Sequence, residues 1–144
     1  MERTFVAENQ AERERLFTLT GQLDEVSLKH EMPNGWTVAE TLAHLAFWDS
    51  YCVALVAGWE KTGYSLTKSN VEATNAAAEA LARAIPATAA VPLVREAAEA
   101  ADAKVERIAP ELVAAIEAGG QANFFSRFRH RRGHLDKIAK ELGL

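Results

Sequence analysis

Three of the four histidines in this chain of 144 residues stand at positions from which they can act together. His130 and His134 bracket Arg131, Arg132 and Gly133 near the end of the sequence. Residues four apart on a helix differ by only about 40° around the axis and one turn along it, so both imidazoles can reach a single ion. His44 comes from a separate apolar stretch some eighty residues earlier. A tripod of neutral imidazoles leaves one coordination position open to water or substrate, which is the arrangement of a catalytic zinc site rather than a structural one. Imidazole suits nickel, iron and copper as well, and spacing alone does not choose among them. The competing reading is that each histidine is a satisfied residue at the boundary of the core, and the residues leave both readings open.

The elements that would have to bring these side chains together are helices. Alanine, glutamate, leucine and arginine dominate, alternating β-branched runs are nearly absent, and glycine and proline are sparse. Apolar periodicity predicts a first helix over residues 2–23, with Phe5, Leu16 and Phe17 inward and the charged run from Glu12 to Arg15 outward. After the Pro33-Asn34-Gly35 turn, Thr37 and Glu40 form a capping box, so a helix begins at Thr37 and stops before Gly63. Val38, Leu42, Leu45, Trp48, Cys52, Val56 and Trp59 line one stripe of it, with His44 on the edge. Further helices are predicted over residues 70–84, 92–108 and 110–120, separated at Pro86, Pro92 and Pro110 where a backbone donor is missing. The last runs over residues 122–142, where Phe124, Phe128, Leu135, Ile138 and Leu142 are buried and His130 and His134 share one edge. Four long helical blocks with short connections make a single all-α, four-helix-bundle domain over residues 1–144.

Composition narrows the function classes. With 49% hydrophobic and 25% charged residues the chain buries a core of ordinary size and is not of the disordered type. A net charge of -4 argues against a general binder of nucleic acid, and no stretch approaches the 18 to 20 apolar residues of a membrane span. A soluble cytoplasmic protein is expected. The lone Cys52 cannot form an internal disulfide and, within the apolar stripe, reads as a small hydrophobe rather than a nucleophile.

The stretch from Trp36 to Asp49 (Trp-Thr-Val-Ala-Glu-Thr-Leu-Ala-His-Leu-Ala-Phe-Trp-Asp), followed by the segment from His130 to Ile138, resembles the DinB/YfiT-like superfamily of four-helix metalloproteins over nearly the whole chain. That resemblance implies His44, His130 and His134 as ligands of one divalent ion, zinc or nickel most often. It also implies a choice of chemistries, among them thiol S-transfer, thiol-dependent isomerisation and hydrolysis. The ion would activate water or a low-molecular-weight thiol against a small electrophile. The alternative is a non-catalytic bundle of the same kind that binds a small ligand or a protein partner, for example in a stress response. Homodimers are common in the superfamily, and an alanine-rich helical surface suits one.

Around the three histidines, Trp48 and Tyr51 could shape an apolar cleft, although aromatics at helical spacing are more often core. Arg131 falls near the centre of the last helix's apolar stripe, where an unpaired guanidinium is costly. It must pair, snorkel or face a polar pocket, in which last case it would favour an anionic substrate or thiol. The basic run of Arg127, Arg129, Arg131 and Arg132 is interrupted by Asp136 and lacks a stacking platform, so it reads as a solvated face. Asn75 could point into the site but more simply lies exposed, His30 reads as a surface residue, and Glu40 as a cap rather than a support for His44. No catalytic base is identifiable.

Overall fold

A computed structural model describes residues 3–144, and all of the regular structure within them is helical. Four long helices form the bundle: α1 (Thr4–Thr20), α3 (Val38–Thr62), α5 (Ala90–Glu106) and α7 (Phe128–Leu142). The shorter α2 (Glu25–Leu28), α4 (Val71–Ala82) and α6 (Pro110–Ala118) lie in the connections. Helix α3 packs chiefly on α5, α1 rests on both α7 and α5, and α4 leans on α3. No single described helix is long and apolar enough to cross a membrane.

Local chemistry explains the beginning of α3. The Thr37 hydroxyl accepts from the Glu40 amide at 3.0 Å, and the Glu40 carboxylate accepts from the Thr37 amide at 2.7 Å, satisfying two otherwise orphaned donors. Both side chains are thereby committed to the cap. Asn70 caps α4 in the same manner, accepting from the Ala73 amide at 2.9 Å.

Two expectations fail for reasons that lie outside local sequence. The final helix does not run unbroken from residue 122: a 3-10 turn at Ala122–Phe124 comes first, and α7 begins only at Phe128. Asn9 of α1 causes the break to be stable, because its amide donates to the Phe125 carbonyl at 2.8 Å and its carbonyl accepts from the Phe128 amide at 2.9 Å. One side chain from another helix thus caps α7. The charged run of α1 is also not wholly outward, since Glu12 is buried beneath α7 and accepts from Arg132 at 2.8 Å. Glu2, the expected first residue of α1, lies outside the described residues.

The core is divided into two apolar clusters. One holds Leu16, Leu42, Leu45, Val94, Leu135 and Ile138, and the other holds Phe5, Cys52, Val56, Val105, Ile116 and Phe128. Between them runs a polar layer to which each long helix contributes a buried residue: Asn9 from α1, Asp49 from α3, Asp102 from α5 and Arg131 from α7.

Arg131, at 0% exposure, is the hub of this layer. It reaches Asp49 at 3.1 Å and Asp102 at 2.8 Å, and it donates to the Asn9 carbonyl at 3.1 Å. Burial opposes its charge, but the two carboxylates outweigh burial and hold the guanidinium above its ordinary pKa. The pairing alternative raised by its apolar position is therefore the one realised. Arg131 faces no cleft, and its candidacy as a substrate-binding residue gives way to an internal ion cluster.

Candidate metal centre

His44 sits on the second turn of α3, and His130 and His134 on the first two turns of α7. The packing of these helices brings the three rings into a nearly equilateral triangle, with centroids 5.0 Å apart for His44 and His130 and 4.9 Å for each of the other two pairs. One nitrogen from each ring lies within 4.8 Å of the other two, so the three could hold a metal ion. The Nε2 atoms of His44 and His130 are 3.1 Å apart. Three nitrogens bound at about 2.0–2.1 Å to a tetrahedral zinc stand roughly 3.4 Å from one another, close to the separation of that pair.

Protonation also suits a metal. Burial first, and then the positive charge of Arg127, lower the His44 pKa to about 4. Burial, then the neighbouring His44 and Lys137, lower that of His134 to about 4. His130 falls to about 2 through burial, Arg127 and the other two histidines. All three rings are neutral at pH 7, the form in which imidazole ligates metal. His44 is 7% exposed, and its Nδ1 is buried without a hydrogen-bond partner. An orphaned atom of that kind belongs to a site whose polar groups are not fully occupied by the protein itself.

The rings open into a cleft of about 470 Å³. The Trp36 ring lies 5.0 Å from that of His44, tilted by 51°, and Trp48 lines the adjacent wall, where its indole donates to Asn75 Oδ1 at 2.8 Å. Asn75 is half-buried and lines the cleft, contrary to the simpler expectation of an exposed side chain. Tyr51 does not line it; the phenol ring lies 5.1 Å from that of Trp48 and 6.1 Å from that of Phe124 and packs on the apolar cluster of Phe5, Cys52 and Phe128. Glu40 remains the cap of α3 and makes no hydrogen bond to His44. Cys52 is fully buried, and burial pushes its thiol up to about 11, which leaves it protonated and inert. His30 is exposed and contacts Glu141 at 3.0 Å, away from the triad.

The solvated-face reading of the basic run holds for Arg129 and Arg132 and fails for Arg127 and Arg131. Arg127 is 4% exposed, donates from Nε to Asp49 at 2.8 Å, and lines the cleft. It was missed, as was Asp49, whose carboxylate joins Arg127 on one side to Arg131 on the other. A usable signal existed for Asp49: a carboxylate on the Leu45 and Cys52 stripe cannot be buried without a cationic partner.

Residues 10–132 match the mycothiol maleylpyruvate isomerase N-terminal domain family. The chain belongs to that family. The family is a member of the DinB/YfiT-like helical superfamily, in agreement with the paired motifs around His44 and His130. The matched stretch takes in two of the three histidines and ends two residues before His134. No curated protein and no solved structure matches the chain.

Proposed function

We propose that this protein is a divalent-metal-dependent enzyme in which His44, His130 and His134 hold one zinc or nickel ion, and that it uses a low-molecular-weight thiol, or water, against a small electrophile. The observation that carries the reading is the convergence of three neutral imidazoles on one point of an open cleft. The family name, which specifies a mycothiol-linked isomerase, favours the thiol over water. A bound ion would supply the nucleophile at neutral pH by stabilising thiolate or hydroxide. Trp36 and Trp48 would exclude water from one side of the reacting groups, and Asn75 fixes the Trp48 indole. A cytoplasmic setting and a homodimer belong to the same proposal; exposed Leu81 and Val71 offer apolar surface for a second copy.

Untagged protein loaded with zinc or nickel should retain one ion per chain, and His134→Ala should weaken retention by at least about tenfold. Retention without a stoichiometric ion, or an unaffected His134→Ala variant, would end the reading. Consumption of a thiol against an activated alkene, dependent on the ion, would then separate thiol chemistry from hydrolysis.

One contact favours the second reading, a non-catalytic bundle that binds a small ligand or partner. Arg127 Nη2 donates to His130 Nδ1 at 3.2 Å, and a guanidinium has only donors. This arrangement uses the Nδ1 lone pair and leaves the ring proton on Nε2, the atom that faces His44. A metal at Nε2 requires the opposite tautomer and the withdrawal of Arg127. Nitrogen-15 NMR of the histidine side chains distinguishes the two: a switch of His130 to the Nδ1-protonated form on adding zinc supports the enzyme, and an unchanged tautomer supports the bundle.

A further inference from the structure

A second cleft, of about 400 Å³, opens on the other side of His134. Met32, Pro33 and Thr41 form one wall, and Lys137, Lys140 and Glu141 of α7 form the other. Asn34 and His134 line both clefts, so the His134 imidazole stands as the partition between them. Two clefts that meet at one ring of the triad give two small molecules separate approaches to it.

The two clefts differ in lining. The first presents the indoles of Trp36 and Trp48 beside the guanidinium groups of Arg127 and Arg129, whereas the second has no indole and presents two ammonium groups three residues apart on one helix face. Lys137 and Lys140 are exposed, and neither makes an ion pair among the described residues. The carboxylate that lines the same cleft, Glu141, lies 3.0 Å from His30, and Asp136, next to Lys137 in the chain, pairs with Arg15 at 2.7 Å. Of the nearby arginines, Arg127, Arg131 and Arg132 have carboxylate partners, and Arg129, without an ion pair among the described residues, lines the first cleft. Cations left unpaired at the mouth of a cleft attract an anion from solution.

We infer that the cleft between Pro33 and Lys140 is a subsite for a carboxylate-bearing small molecule, whose acid group lies between Lys137 and Lys140 while its other end reaches the triad past His134. The inference deepens the proposed function and rests on it only for the final approach to an ion; the carboxylate site itself needs none. One of the two reactants then carries the acid, and the indole-lined cleft receives the other.

The test starts with metal-free protein and succinate, followed by proton–nitrogen NMR. Succinate should shift the signals of Asn34 and His134, with the Trp48 indole and Asn75 undisturbed, and Lys137→Glu combined with Lys140→Glu should weaken binding at least about tenfold at low salt. Both lysines are exposed, so the variant should fold. Absence of binding, or unchanged binding by the double variant, overturns the inference. Cobalt-loaded protein then assigns the acid to a reactant, through the absorption band of sulfur on the ion. If N-acetylcysteine binds more tightly than 2-mercaptoethanol and the double variant removes the difference, the thiol carries the carboxylate. Equal binding of the two thiols, with succinate still held at the lysines, gives it to the electrophile. Failure to load cobalt would count against the proposed enzyme and leave the succinate result standing.

Discussion

Helix α7 carries two buried polar centres one residue apart, and they are built on opposite terms. The ion cluster around Arg131 is closed: Asp49, Asp102 and backbone carbonyls satisfy the guanidinium on all sides at 0% exposure. The histidine triad is open: its rings face a cleft, they are neutral, and His44 Nδ1 has no partner. Asp49 connects the two through Arg127, which pairs with the carboxylate and touches His130. Burial of polar groups therefore does not by itself mark a functional site. The separating property is whether the protein supplies all of the partners, because a closed network stabilises one packing arrangement while an open one retains binding capacity for something else.

The largest effect should come from closing off that distinction at Arg131. Arg131→Met keeps the volume but leaves Asp49 and Asp102 each short of a cation, and should cost about 3–5 kcal/mol in urea unfolding. The equivalent exchange in the open centre should cost far less. His44→Leu removes an orphaned Nδ1 together with the acceptor that faces His130 Nε2, so metal-free stability should change by no more than about 1.5 kcal/mol, while the stabilisation by zinc disappears. In the parent protein that stabilisation should reach about 2.7 kcal/mol at a free zinc concentration one hundred times Kd. A loss of metal-free stability in His44→Leu comparable to that in Arg131→Met would erase the contrast.

The pH dependence tests the same contrast. Folding lowers His44 and His134 from the ordinary 6.5 to about 4, so the unfolded chain binds more protons between those values. Metal-free stability should accordingly be flat above pH 6.5 and fall as pH drops toward 4, with part of that slope absent in His44→Leu. Zinc occupancy should persist well below pH 6.5 and fall as the medium nears the folded pKa values. Smaller effects lie at the edges of the two centres. Thr37→Ala removes the hydroxyl half of the capping box of α3 and should cost about 1 kcal/mol in thermal unfolding. Gly133 sits exposed in the interior of α7 with open space where a Cβ would go, so Gly133→Ala should add about 0.8–1 kcal/mol and leave zinc uptake unchanged. Reduced uptake in that variant would mean that the spacing of His130 and His134 depends on local give in the helix.

Legibility in the sequence followed the range of the interactions. The Thr37 and Glu40 pair announced the start of α3 because a capping box is contained within four residues. The apolar stripe from Val38 to Trp59 was readable because helical period is local too. The same periodicity put Arg131 inside and required a partner, yet it could not name Asp49 and Asp102, which are 82 and 29 residues away. Asn9 is the clearest loss: nothing in the 116 residues separating it from Phe125 indicates that its amide interrupts the last helix. Tyr51 was expected at the cleft because helical spacing puts it near His44, whereas its half-buried ring packs between Trp48 of its own helix and Phe124 from a distant turn.

What the sequence determined by itself was the four long helices apart from the start of the last, the inward position of their apolar stripes, and the one-turn spacing of His130 and His134, all consequences of backbone geometry over a few residues. Tertiary structure alone decided that His44 meets that pair at the distances observed, that Arg131 is closed off while Arg127 borders the cleft, and that His134 divides two clefts of different lining. Those outcomes depend on the packing of α3 against α7 and α1, where side chains remote in the chain compete for the same buried volume and the same few charged partners.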